Sequence, residues 1–107
     1  MSDSQKANNQ SEINKMKAKI MYDEIIIKYK DIKDIDTEEN IINKIIELNF
    51  DENKVKEYYN VRGIFDELEE EYGISAMFEE EAMKDKIKEL HCDKNLIREW
   101  VESNIMS

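Results

Sequence analysis

His91 and Cys92 are the side chains with the widest chemical repertoire in this chain, and they are adjacent. A thiolate nucleophile needs its base within about 3 Å and a third group to orient that base. Neighbours on or just past a helix point in different directions, so adjacency in sequence is the wrong geometry for such a pair. The chain holds one histidine and one cysteine, too few nitrogen and sulfur ligands for a zinc tetrahedron. Carboxylates are abundant, notably Glu69, Glu70, Glu71 and Glu79, Glu80, Glu81. Glycosidic acid–base chemistry wants two carboxylates about 5–10 Å apart in a cleft with unequal pKa values, and these runs lie on open faces without an aromatic platform. In DIKDIDTEENII, Lys33 and Ile35 take the third and fifth places where a calcium loop needs oxygen ligands. Two glycines and no proline cannot build a phosphate nest. No catalytic, metal or cofactor-binding residue is assigned, and the chain is expected not to be an enzyme.

The same scarcity of glycine and proline fits short helix–helix connections better than hairpins, and the expected fold is an all-α small helical bundle of short amphipathic helices. With 107 residues the chain has room for a core but little for a deep cleft. Residues 1–11, MSDSQKANNQS, are polar and read as a disordered lead-in. Residues 12–107 are expected to form a single acidic domain. Ser11 is placed to cap a first helix with Ile13, Met16, Ile20 and Ile27 on its stripe, widened by Tyr22, Ile25, Ile26, Tyr29 and Ile32. Asp36 and Glu39 have capping-box spacing before a second helix with Ile41, Ile45 and Leu48 on one face. A third helix starts after Asp51, with a relief at Gly63. A further segment then carries Ile64, Phe65, Leu68 and Tyr72 and stops at Gly73. Ser75 is placed to cap a long helix bearing Met77, Phe78, Ala82, Met83, Ile87 and Leu90, and Asp93 to cap the last, bearing Leu96, Ile97, Trp100, Val101 and Ile105.

ELNFDENKVKEYY at 47–59 and ELHCDKNLIREWV at 89–101 align at an offset of 42 residues. Glu47/Glu89, Leu48/Leu90, Asp51/Asp93, Asn53/Asn95 and Glu57/Glu99 are identical, and Val55/Ile97, Lys56/Arg98 and Tyr58/Trp100 keep their type. Related helical units are therefore expected at 38–62 and 80–104. In each, Phe50 or Cys92 plugs the angle between two helices, and an Asp satisfies backbone N–H groups at the second helix start.

The stretch 38–72, with Leu48, Asn49 and Phe50 after its first helix, resembles a ubiquitin-associated (UBA) domain or the related CUE domain, both compact three-helix units. Asn49 stands where that family has glycine, and the second copy at 80–104 is partial. The resemblance implies an apolar patch made of Leu48 and Phe50 from the loop and Phe65 and Leu68 from the third helix, with a ubiquitin-like protein as partner.

The formal net charge is −10, and residues 66–81 carry eight carboxylates and no base. Such a chain repels a phosphate backbone. Lys94 and Arg98 lie four apart in a stretch resembling the second helix of a helix-turn-helix, but Glu99 and Glu102 stand beside them, so direct nucleic-acid binding is not expected. No apolar span or leader is evident, and a lone cysteine suits a reducing compartment, so a cytoplasmic location is expected. The expected function is a protein-interaction module or adaptor, using Leu48, Phe50, Phe65 and Leu68 with Glu69, Glu70, Glu71, Glu79, Glu80 and Glu81 against a partner that is basic or ubiquitin-like. An acidic nucleic-acid mimic that inhibits a basic protein, or a purely structural subunit, are the alternatives. Heptad spacing of Ile13, Ile20 and Ile27 leaves a homodimer through the 13–32 helix open.

Overall fold

The computed structural model describes residues 3–106, with side chains described for residues 10–105. Six α-helices run in chain order: α1 (Asp3–Lys28), α2 (Ile32–Ile35), α3 (Glu38–Glu47), α4 (Glu52–Tyr72), α5 (Glu80–Glu89) and α6 (Lys94–Met106), with a single 3-10 turn at Ile74–Ala76. Among the described residues there is no strand, and no helix is long and apolar enough to cross a membrane. The chain is thus an all-α small helical bundle. It divides into two compact units, Met1–Glu57 and Tyr58–Ser107.

In the first unit α1 packs on α3, and Ala18, Tyr22, Ile25, Ile32, Ile41, Ile45 and Val55 are buried. Two corrections concern helix starts. α1 begins at Asp3 and not at Ser11, so residues 3–11 of the expected lead-in are helical, while residues 1 and 2 lie outside the described residues. α3 is capped by Thr37, whose Oγ1 accepts from Asn40 N at 3.2 Å. Asp36 stands one place earlier, its carboxylate accepting from Thr37 N and Asn40 Nδ2, both at 2.9 Å. The hydroxyl wins the cap because it sits one peptide closer to the first free N–H groups. Ion pairs lace this unit's surface: Lys19 bonds Glu38 across α1 and α3 and Asp23 at 3.0 Å within α1, and Lys28 bonds Glu52 at 3.0 Å.

In the second unit Val61, Ile64, Phe65, Leu68, Ile74, Met83, Ile87, Ile97 and Val101 form the core. α4 passes Gly63 without a break, contrary to the expected relief there. A glycine inside a helix weakens it by about 1 kcal/mol, and burial of Val61, Ile64 and Phe65 around it exceeds that cost at about 1.5–3 kcal/mol per side chain. Gly73 ends α4 with φ of 61° and its N–H on Glu69 O at 2.9 Å. The long helix expected from Ser75 is absent. Ser75 lies in the 3-10 turn, where its N–H and hydroxyl both donate to the Glu69 carboxylate at 2.7 and 2.8 Å, and α5 begins five residues later. Lys94 reaches Glu67 at 3.2 Å and Arg98 reaches Glu71 at 2.9 Å, so α6 runs parallel to α4 along this edge. Tyr72 adds a third rung, donating to Glu102 Oε1 at 2.8 Å.

Candidate functional site

The corners come first, because they set where each following helix points. α3 ends at Leu48, after which Asn49 N donates to Ile46 O at 3.0 Å and Phe50 N to Ile45 O at 2.9 Å. α5 ends at Leu90, after which His91 N donates to Lys88 O at 2.9 Å and Cys92 N to Ile87 O at 3.0 Å. Both are Schellman closures, and in both two consecutive non-glycine residues take left-handed backbone, φ 57° and 60° at Asn49 and Phe50 and 56° at each of His91 and Cys92. Asp51 Oδ1 then accepts from Lys54 N at 3.2 Å, and Asp93 Oδ1 from Asn95 N and Leu96 N at 3.0 and 3.2 Å, as the sequence led us to expect. Phe50 is half-buried, and Cys92 packs partly on the core of its unit. His91 is exposed at the bend, while Cys92 is half-buried and packs against the core.

The residues expected to bind a partner are scattered. Leu48 and Phe50 are half-buried at the first corner. Phe65 and Leu68 are buried core side chains of the second unit and present no surface, a correction whose cause is that α4 is one helix with this face turned to α5 and α6 residues. Glu69 is spent on Ser75, Glu71 on Arg98 and Glu80 on Lys84 at 3.2 Å. Glu70, Glu79 and Glu81 are exposed.

A groove of about 350 Å³ in the second unit brings other residues together: Met77, Phe78, Glu79, Ala82, Met83, Asp85, Lys86, Glu89 and Trp100. The 3-10 turn ends before it starts, so Met77 emerges as an exposed side chain, 47% accessible, where the sequence reading places it on an inward stripe. Phe78 and Trp100 are half-buried and stack at 5.3 Å between ring centroids with planes tilted by 39°. Lys86 lies with Nζ 5.3 Å from the Trp100 ring centroid and donates to Glu89 Oε2 at 3.3 Å. Thus an apolar floor of Met77, Phe78 and Trp100 has a rim of Glu79, Asp85 and Glu89 against one ammonium. The ring face already accommodates a cation, as the quadrupole of an indole permits. Of the groove residues, Glu79 alone belongs to the expected set. In sequence Trp100 belongs to the apolar stripe of the last helix, and Asp85 and Glu89 carry no local signal that separates them from the other acids.

A scan against protein-family models finds no match, and searches of curated proteins and of solved structures find none either.

Proposed function

We propose that the chain is a small acidic protein-interaction module whose second unit docks a basic, amphipathic segment of another protein in the Met77–Phe78–Trp100 groove. The observation that carries this reading is the exposed Met77 beside the half-buried Phe78–Trp100 pair inside a rim of three carboxylates. Aromatic anchors and methionine supply contact area that adapts to a partner helix. Glu79, Asp85 and Glu89 supply attraction at a distance and so act on association rate more than on affinity. The 42-residue correspondence of the two corners supports a duplicated helix–corner–helix scaffold in which this one groove is the specialised part. Cys92, placed as a small hydrophobe against the core, suits a reducing, cytoplasmic setting.

The reading of the whole acidic stretch as a nucleic-acid mimic draws less support, because Glu67, Glu69, Glu71 and Glu80 are engaged within the unit. Stopped-flow binding of a lysine-rich amphipathic helical peptide tests the proposal. Replacing Glu79, Asp85 and Glu89 by their amides is expected to slow association about tenfold at low salt and to flatten the salt dependence. Association indifferent both to those changes and to salt would refute the proposal.

A further inference from the structure

α1 carries two apolar faces on opposite sides of one cylinder. At 3.6 residues per turn, Ala18, Tyr22 and Ile25 share one side, and all three are buried in the unit where α3 packs on α1. Ile13, Met16, Ile20 and Ile27 share the other side and are 44%, 69%, 63% and 74% accessible. A contiguous strip of four large apolar side chains on one exposed helix marks an interaction face. Its spacing is heptad: Ile13, Ile20 and Ile27 take the a positions, and Met16 and Asp23 the d positions.

We propose that this face pairs with the same face of a second copy of the chain, forming a short parallel two-stranded coiled coil over residues 12–28. The charges flanking the strip select both the occupant and its direction. In a parallel pair each g residue meets the e residue of the partner's next heptad. Glu12 at g then meets Lys17 of the second copy, an attractive pair that occurs twice by symmetry, while Lys19 at g, which its own chain holds on Asp23 and Glu38, lies opposite Glu24 of the second copy. An antiparallel pair sets e against e and g against g, so Lys17 meets Glu24 in one register and Glu12 meets Lys19 in another, and no single antiparallel register makes both pairs.

Asp23 is the polar member of the seam. Its carboxylate holds Lys19 of its own chain at 3.0 Å, so the layer brings two Asp23 carboxylates together with two Lys19 ammonium groups, each of which also bonds Glu38. Such a layer fixes register at a cost in affinity. With so few apolar layers the dimer forms in the micromolar to sub-millimolar range.

Sedimentation equilibrium of the full chain across that range tests the proposal. A monomer–dimer equilibrium is expected. Ile20→Asp should abolish the dimer and leave the circular dichroism unchanged, because Ile20 is exposed in the monomer. Asp23→Leu should tighten the dimer about tenfold or more by adding an apolar layer. Lys17→Glu should weaken it, and adding Glu12→Lys to that variant should restore it, a rescue that depends on parallel g–e pairing. A monomer at every concentration, a dimer indifferent to Ile20→Asp, or failure of the charge swap to restore pairing would overturn it.

Discussion

Among the described residues, four side chains that are not glycine occupy left-handed backbone, and they fall in two adjacent pairs, Asn49–Phe50 and His91–Cys92. Left-handed conformation costs an L-residue roughly 1–2 kcal/mol, least for asparagine. His91 is exposed and has no small polar side chain to offset that cost, so His91→Gly is expected to stabilise the protein by about 1 kcal/mol and Asn49→Gly by less, read from urea unfolding midpoints. The neighbouring caps act in the other direction. Asp51→Ala and Asp93→Ala each remove an acceptor from the first turn of the next helix and should each destabilise by about 1 kcal/mol. Both caps were legible in the sequence, since Asp directly before an apolar-periodic run has one common use. The paired left-handed residues were not, because asparagine at Asn49 is a weaker signal of positive φ than glycine and Phe50 and Cys92 give none.

At the scale of helices, burial and not local propensity decides where each element starts and which face it turns inward. Ser75 has the residue type of a helix cap, yet Glu69 captures its N–H and hydroxyl, and Ile74 is buried in the core beside Met83 and Ile87, so a 3-10 turn replaces the first turn of the expected helix. In α1 two apolar stripes compete, and the smaller one, built on Ala18, lets α3 approach. A heptad reading of the sequence selects the other stripe, because alanine carries little hydrophobic weight. Core truncation should reveal the difference: Ile87→Ala is expected to cost about 2–5 kcal/mol, whereas Ile27→Ala on the exposed stripe should stay within about 0.5 kcal/mol.

The α4–α6 edge carries a pH dependence of its own. The hydrogen bond from Tyr72 to Glu102 raises the phenol above its usual pKa, with partial desolvation adding to it. The folded chain thus keeps this proton where the unfolded chain has released it. The contribution is complete below about pH 10 and is lost as pH rises through the folded value. Tyr72→Phe should therefore reduce the loss of thermal stability between neutral and strongly alkaline pH.

Over the whole molecule, a net charge of −10 coexists with cations placed where they close the structure. Lys94 and Arg98, which in sequence resemble the basic face of a DNA-reading helix, are held by Glu67 and Glu71. Two of the eight carboxylates in 66–81 are thereby used internally, at the modest value of half-exposed pairs, about 0–1 kcal/mol each. Helical class, the place of the two corners and the Asp51 and Asp93 caps could be read from periodicity and residue type, whereas the caps expected at Ser11, Asp36 and Ser75 could not. The groove could not, because it joins residues 77–79 to Trp100 through a turn whose geometry depends on tertiary packing.

Trp100 is the single tryptophan of the chain and forms part of the groove floor, so its fluorescence reports on that surface. Titration with a basic amphipathic helical peptide should produce a saturable change in Trp100 emission that salt weakens and Met77→Asp abolishes. Emission that ignores this peptide, or that responds equally to an acidic peptide of the same apolar pattern, would contradict the assignment of the groove as the docking site.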